Sequence, residues 1–271
     1  MPFDNSLKNI QTPGRVHALC KLLLLESYSQ EKLMELLQPD SDKTQAKDVF
    51  KLARNGGLVS LDENKKVHLQ VPKSEVLDSK RFAHYVAGLA FENKDFIFGR
   101  FSAWVMTRGE KVLTETRDEL AERFFNEVSR KYTSSQEFNS TNIIGWMTWA
   151  NYFGMGHTLN SKFVVNPANR IRNELEFDQE LPRGEFIRVQ EFMDWIVKRC
   201  PELDGGTVNL EFNDQFSNQQ LSFAFSLALR TLHDLQIIIL QNTRDVKNIW
   251  YLHEVQTHEI PNQVTDIMVK G

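Results

Sequence analysis

The chain of 271 residues has an ordinary globular composition, with 41% hydrophobic and 25% charged residues and a net charge of −4. No apolar run reaches the roughly 18–20 residues that would cross a bilayer, and two cysteines are too few for a disulfide scaffold. The negative charge excludes a protein that binds DNA over its whole surface, because neutralisation of phosphates supplies most of such affinity.

The first 75 residues have the pattern of three helices followed by a β-hairpin. Apolar spacing predicts helices in RVHALCKLLLLE (15–26), SQEKLMELLQP (29–39) and DSDKTQAKDVFKLARNGG (40–57). Gly56 and Gly57 supply the left-handed residue that ends the third helix. Strands at 58–61 and 67–71 then flank the polar tip DENKK. This order predicts an N-terminal winged helix over residues 1–75.

The middle of the chain is predicted to be helical. Residues 80–135 contain FAHYVAGLAF and FGRFSAWVMT, and 113–132 predict one amphipathic helix with Leu113, Leu120, Phe124 and Val128 on its apolar face. Residues 136–180 predict a helix capped near Asn139, then a strand at 162–165 and a short helix after Pro167. A second helix-and-wing unit is therefore predicted there.

The last segment, residues 181–271, predicts a second complete winged helix. Helices are expected in RVQEFMDWIVKRCPELDGG (188–206) and SNQQLSFAFSLALRTLHDLQ (217–236), followed by paired strands at 237–240 and 249–252. The apolar stretch LSFAFSLALRTL predicts burial against another domain or a partner. The predicted fold class is mainly α with small β-hairpin wings (α+β), with tandem winged-helix units flanking a helical middle.

The first winged helix carries the candidate nucleic-acid contacts. In DNA-binding winged helices the third helix enters the major groove and the wing contacts the backbone. Lys47, Lys51 and Arg54 share one helix face, while Asp42 and Asp48 weaken its positive field. The alternative is an ordinary solvated surface, since lysine and arginine are usually exposed. The predicted contact residues are Lys43, Gln45, Lys47, Lys51, Arg54, Lys65 and Lys66.

The C-terminal winged helix offers fewer cations, so we expect it to contact protein rather than DNA. Its secondary candidates for nucleic acid are Arg230, Arg244 and Lys247. The seven histidines show no zinc-site spacing. CPELDGG (200–206) lacks the lysine of a P-loop and is expected to be a tight turn, the alternative being a loop whose backbone approaches a ligand. No catalytic, cofactor-binding or metal-binding residue is predicted, and Cys20 and Cys200 are expected to be reduced and buried.

Four stretches in the second half of the chain carry a resemblance to a known bacterial family. They are NSTNIIGWMTWANYFGMG (139–156), VVNPANRIRNEL (164–175), CPELDGG and LSFAFSLALRTLHDLQIIILQNTRDVKNIWYL (221–252). Together they resemble DpdG, a family of accessory proteins encoded in islands that insert 7-deazaguanine derivatives into DNA and restrict unmodified DNA. The resemblance implies a non-catalytic partner of helicase or ATPase subunits in DNA modification or phage defence.

We therefore expect a non-enzymatic winged-helix adaptor of a bacterial DNA modification, restriction or anti-phage defence complex. It would contact helicase or ATPase partners, double-stranded DNA, or both, without a cofactor or a membrane. The N-terminal stretch lacks the apolar core of a signal peptide, so we expect the cytoplasm. The sequence permits an oligomer.

Two alternatives stay open: a dimeric transcription regulator that binds a palindrome, and a kite-type winged-helix subunit of an SMC-like complex. A cryptic enzyme would instead gather titratable residues in one pocket.

Overall fold

The protein is an α+β molecule in which roughly half of the residues are helical. The computed structural model describes residues 8–128, 138–244, 248–255, 258–260 and 262–271. Its helices are α1 (Pro13–Leu22), α2 (Gln30–Leu37), α3 (Thr44–Asn55), α4 (Lys73–Leu77), α5 (Ser79–Phe91), α6 (Ile97–Thr107), α7 (Lys111–Thr114), α8 (Arg117–Glu127), α9 (Ser140–Tyr152), α10 (Ala168–Phe177), α11 (Val189–Arg199) and α12 (Phe223–Asp234).

The strands are short and pair in small antiparallel sheets. They are β1 (Tyr28–Ser29), β2 (Val59–Leu61), β3 (Lys66–Leu69), β4 (Gly156–Leu159), β5 (Lys162–Val165), β6 (Phe186–Arg188), β7 (Ile238–Gln241), β8 (Trp250–Tyr251), β9 (Gln263–Val264) and β10 (Asp266–Val269). The sheet orders are β1-β3-β2, β6-β10-β7, β4-β5 and β8-β9. The coarse part of the predicted fold class, α+β with helices and small antiparallel sheets, is confirmed.

The chain forms two compact units, each assembled from two separate stretches. Unit 1 combines Met1–Phe98 with Arg117–Phe153, and unit 2 combines Gly99–Thr116 with Gly154–Gly271. In unit 1, α1 packs against α2, α3, α4 and α9, and the hairpin β2-β3 follows α3 directly. The largest side chains fully buried in unit 1 include Trp146, Trp149, Phe82, Phe98, Phe124 and Phe153.

Local signals set several element ends in unit 1 as predicted. The Ser29 hydroxyl accepts a hydrogen bond from the Lys32 amide at 3.2 Å, which caps α2. Gly57 follows α3 with a φ of +69°, a conformation that glycine adopts at little cost. The Asn139 side chain forms a reciprocal capping box with Asn142 at the start of α9.

The single amphipathic helix predicted from Leu113 to beyond Val128 is wrong. The chain forms α7, turns through Glu115 and starts again as α8, and residues 129–132 of the prediction lie outside the described residues. Glu115 takes extended backbone geometry, with ψ 147°. Its carboxylate accepts a 2.8 Å hydrogen bond from Arg108, an interaction that holds the turn and that apolar spacing does not encode.

The predicted pairing of strands 237–240 and 249–252 is also wrong. Strand β7 pairs with β10, with Leu240 opposite Ile267, and β10 pairs on its other side with β6. Strand β8 pairs with β9 instead. The reason is burial: Ile267 and Val269 of β10 are fully buried, so the C-terminal strand occupies the centre of the sheet.

Helix α12 is shorter than predicted and is buried within unit 2. It starts at Phe223, where the Ser222 hydroxyl caps the Phe225 amide at 3.2 Å, and a 3-10 turn (Asp214–Asn218) precedes it. Helix α12 packs against α10 and β7. The apolar character of LSFAFSLALRTL therefore reflects burial inside its own unit.

Candidate functional site

Helix α3 places three cations on one exposed face. Lys47, Lys51 and Arg54 are exposed, and their i, i+4, i+7 spacing aligns them along the helix. Among the described residues none of the three has an ion-pair partner. We call these three residues the α3 basic face. The opposite side of the helix is buried in unit 1 through Ala46, Val49, Phe50, Leu52 and Ala53.

The acidic residues beside the basic face are engaged by other groups. Lys8 donates to both carboxylate oxygens of Asp48, at 2.8 and 3.0 Å. The Asp42 carboxylate accepts from the Thr44 hydroxyl at 2.6 Å and from the Thr44 amide at 2.8 Å. Both hydrogen bonds lower the pKa of Asp42, and the bond from the Thr44 hydroxyl has the larger effect. Asp48 is therefore locally neutralised, whereas Asp42 stays ionised and binds Thr44, the first residue of α3.

Lys43 and Gln45 lie at the start of α3 and differ from the basic face in their surroundings. The Lys43 ammonium donates to the backbone carbonyls of Gln38, at 2.6 Å, and Asp40. Lys43 thus fixes the loop before α3 and is only half exposed. Gln45 is exposed and borders a groove of about 120 Å³ together with Arg15 and Gln38.

The tip of the β2-β3 hairpin presents two further cations, Lys65 and Lys66, both exposed. Asp62 holds this tip in shape. Its backbone carbonyl accepts from the Lys65 amide at 3.0 Å, and its side chain accepts from the Lys66 amide at 2.8 Å. The His68 ring lies 2.9 Å from the other carboxylate oxygen, and this side-chain hydrogen bond is the largest influence lowering the pKa of Asp62.

The secondary candidates separate into three cases. Arg230 is 1% exposed, so the prediction that it contacts nucleic acid is corrected. Its guanidinium donates to the carbonyls of Ile260 and His253, at 2.9 and 3.3 Å, and contacts His258 and Asn262. Those partners lie 23 to 32 residues away, which is why sequence spacing did not reveal the burial. Arg244 is exposed, and Lys247 lies outside the described residues.

The CPELDGG stretch forms the predicted turn, and its aspartate binds the N-cap residue of a helix. Asp204 is 1% exposed and accepts from the amide and the hydroxyl of Ser222, at 2.6 and 2.7 Å. Ser222 is itself the N-cap of α12, so Asp204 fixes the start of that helix. Burial raises the pKa of Asp204 to about 6, against the lowering effect of the two hydrogen bonds.

A buried ion cluster lies beside the same turn. The Arg170 guanidinium donates to Glu202 at 2.9 Å, to Glu174, and to the Arg199 carbonyl at 3.2 Å. Glu202 is fully buried, and its second carboxylate oxygen has no partner among the described residues. Burial raises the pKa of Glu202, although the positive charge of Arg170 opposes it. Burial likewise raises the pKa of the Cys200 thiol, as expected for an unreactive cysteine.

The comparisons with known proteins give one match. The model of the DpdG-like family matches residues 7–246, which is most of the chain. The chain belongs to the DpdG-like family. Membership associates it with the 7-deazaguanine DNA modification system. No curated protein and no solved structure matches it.

The DpdG-like match extends well beyond the four stretches in the second half of the chain that carry the resemblance. It includes the α3 basic face, the tip of the β2-β3 hairpin and the turn that carries Asp204. Strands β8, β9 and β10 lie beyond it.

In the described part of this DpdG-like chain, no three His, Cys, Asp or Glu side chains are grouped to hold a metal ion. No described helix has both the length and the apolar content to span a membrane.

We expect Asp204 to make the stability of this DpdG-like protein depend on pH. Its folded pKa of about 6 exceeds the ordinary value of 3.8, so the folded state binds the proton more tightly than the unfolded state. The resulting stabilisation is complete below about pH 4 and is lost as the pH rises through about 6. We expect this group to lower the free energy of unfolding by about 3 kcal/mol over that interval.

Urea unfolding at several pH values, followed by circular dichroism, measures this effect. In the Asp204→Asn variant the free energy of unfolding should no longer fall by this amount as the pH rises. The Asp194→Asn variant, which changes an exposed aspartate on α11, should show the same fall as the wild type. Equal pH slopes in the wild type and the Asp204→Asn variant would show that Asp204 is ionised in both states.

Three contributors to these sites were missed by sequence reasoning. Lys8 neutralises Asp48 from 40 positions away, and Glu202 and Asp204 are buried although acidic residues in turns are usually exposed. The one available signal was the pair of glycines after Asp204, which indicates a tight turn but not which helix it caps.

Proposed function

We propose that this DpdG-like protein is a non-catalytic, cytoplasmic adaptor of a bacterial DNA modification or restriction system. In this proposal unit 1 contacts double-stranded DNA, and other subunits of the system, helicase or ATPase components among them, are its protein partners. The family association supports the DNA modification system. The charge arrangement on unit 1 supports the DNA contact.

We infer that α1, α2, α3 and the β1-β3-β2 sheet form a winged helix. The supporting observations are the element order, helix, strand, helix, helix and hairpin, and the antiparallel pairing of β3 with both β1 and β2. In such a fold α3 is the element that approaches the major groove, and the β2-β3 tip is the wing. The cations of α3 and of the wing then belong to one DNA-facing surface.

The observation that carries the proposal is the cluster of exposed cations on the α3 basic face, which forms no ion pair within the described residues although the charge of Asp42 acts on Lys47. Lys47, Lys51 and Arg54 are exposed and have no ion-pair partner among the described residues, while the nearby Asp48 is paired with Lys8. Cations that form ion pairs with carboxylates of the same chain would add little to DNA affinity, because those ion pairs would compete with phosphate. These three are available to bind phosphate and would release counterions on binding, with Lys65 and Lys66 as additional contacts.

Fluorescence anisotropy with a labelled random duplex tests this contact at several salt concentrations. Five phosphate contacts predict a slope of log K against log[salt] of about −4 to −5. The triple variant Lys47→Ala, Lys51→Ala, Arg54→Ala should lose about 10- to 100-fold in affinity, and its slope should become shallower by about 3.

A matched control separates the basic face from net charge. The triple variant Lys73→Ala, Arg172→Ala, Lys198→Ala removes the same three charges from exposed positions outside α3 and the hairpin. It should bind within about twofold of the wild type. Equal losses in both triple variants, or no binding by the wild type at low salt, would reject the DNA contact and leave unit 1 as a protein-binding unit.

A further inference from the structure

Unit 2 contains a cavity that the proposed DNA contact does not use. Its volume is about 510 Å³, within the range of about 300–1,000 Å³ that is typical of small-molecule sites. Its walls are the turn at 107–111 after α6, residues 212–215, and the start of α12. His253 completes the lining.

One wall of the cavity is aromatic. The rings of Phe223 and His253 stand edge to face, with centroids 5.3 Å apart and an interplanar angle of 84°. Phe212 lines the same cavity, and all three side chains are only partly buried or exposed. Exposed ring surface in a concave site favours a planar aromatic ligand, because such pairs gain stacking energy in addition to apolar burial.

A buried amide pair adjoins the aromatic wall. Asn213, which lines the cavity, is 9% exposed and donates to the Asn209 side-chain oxygen at 3.2 Å. Asn209 is fully buried, and its amide nitrogen has no acceptor among the described residues. Reversing both amides would let Asn209 donate to Asn213. Asn213 can therefore offer a ligand either a donor or an acceptor.

The charges around the cavity cancel. The lining contains the cations Arg108 and Lys111 and the anions Glu110 and Asp214, with a formal sum of zero. Arg108 is also engaged elsewhere, since it donates to Glu115 at 2.8 and 3.3 Å and stacks on Trp104 at 4.6 Å. This balance gives a polyanionic ligand no electrostatic advantage and is compatible with a neutral one.

We propose that this cavity binds a neutral, planar heterocycle of the nucleobase class, such as a nucleoside. The base lies against Phe223 and His253, and its polar edge meets Asn213 and the Asp214 carboxylate. A carboxylate only accepts hydrogen bonds, so Asp214 selects an edge with neighbouring N–H donors. Guanine offers two such donors, the ring N1–H and the amino group. The site lies wholly in unit 2 and does not depend on the DNA contact of unit 1.

Isothermal titration calorimetry with guanosine, adenosine, cytidine and uridine tests the proposal on the full chain. We expect guanosine to bind tightest, with a Kd below about 1 mM. Guanosine 5′-monophosphate should bind no more than about threefold more tightly than guanosine, since the lining has no net charge. Failure of all four nucleosides to bind at about 1 mM, or binding by nucleoside triphosphates alone, would overturn the proposal.

Substitutions locate the binding in the cavity. Asp214→Asn changes an exposed rim residue that does not contribute to the core, and it should weaken guanosine binding about tenfold while leaving uridine unchanged. His253→Ala, also at an exposed position, should weaken all four nucleosides. Asp194→Asn on α11 is the matched control and should bind as the wild type does. Unchanged guanosine binding in both cavity variants would overturn the proposed site.

Discussion

Replacing Arg170 by methionine is expected to lower the free energy of unfolding of unit 2 by about 3–5 kcal/mol. Methionine has a similar length but no charge, so the buried carboxylates of Glu174 and Glu202 lose the guanidinium that pairs with both of them. The Arg199 carbonyl also loses its donor from α10. Urea denaturation followed by circular dichroism measures the loss.

Two further variants isolate the cause. Arg172→Met alters an exposed arginine of the same helix and should change stability by less than about 0.5 kcal/mol. Glu202→Gln keeps the oxygen that accepts from Arg170 and removes the charge of a carboxylate whose pKa is raised by burial. This substitution should therefore lower the free energy of unfolding by less than about 1 kcal/mol. Combined with Arg170→Met, it should recover part of the lost stability. A loss below about 1 kcal/mol in Arg170→Met alone would contradict the proposed role of the cluster.

Replacing Gly206 by alanine is expected to cost about 3 kcal/mol. The added methyl carbon would lie 2.5 Å from the carbonyl carbon of Pro201 and 2.6 Å from its Cα. Those backbone atoms are fixed, because the Pro201 carbonyl accepts from the amides of Val208 and Asn209 at 3.0 and 3.1 Å. The turn therefore has to open, and Asp204 would move away from the start of α12.

The control for this effect is Gly88→Ala in α5. A methyl group there meets no atom within 4 Å, and alanine favours helix, so the variant should gain about 0.5–1 kcal/mol. Both variants are compared by thermal and urea unfolding. A Gly206→Ala protein that unfolds at the wild-type urea concentration would show that the turn adapts without cost.

Helix ends were predictable because the signals for them are local. Ser29, Asn139 and the glycines after α3 act within three or four residues of the ends that they determine, and each is found where the sequence placed it. The break between α7 and α8 was not predictable, since it depends on the contact of Glu115 with Arg108, seven positions earlier.

Strand partners in unit 2 were not predictable for a different reason. The apolar pattern of β7 indicates a buried strand but carries no information on which other strand it meets. Its true partner, β10, starts 25 residues after β7 ends, and a nearer apolar pair at 249–252 was an equally reasonable choice from sequence alone. Nonlocal pairing of this kind is decided by burial in the complete core.

The candidate sites were predictable to different extents. Exposed cations at helical spacing identified the α3 basic face, because a surface face needs only local periodicity. The same reasoning failed for Arg230, since a buried guanidinium requires acceptors from a distant segment. The cavity of unit 2 was missed altogether, as its lining comes from four separate stretches of the chain.

The interleaving of the two units restricts the order in which the chain can fold during synthesis. Unit 1 is incomplete until residue 153 has left the ribosome, and by then residues 99–116 have already emerged without the rest of unit 2. Domains usually fold as units from the N-terminus onward, but here an early part of one unit must wait for a later part. A single cut after Phe153 would keep all of unit 1 in the fragment 1–153 but would separate residues 99–116 from the rest of unit 2. A fragment that contains the whole of unit 2 and nothing of unit 1 would therefore need a new linker that joins residues 99–116 to residues 154–271.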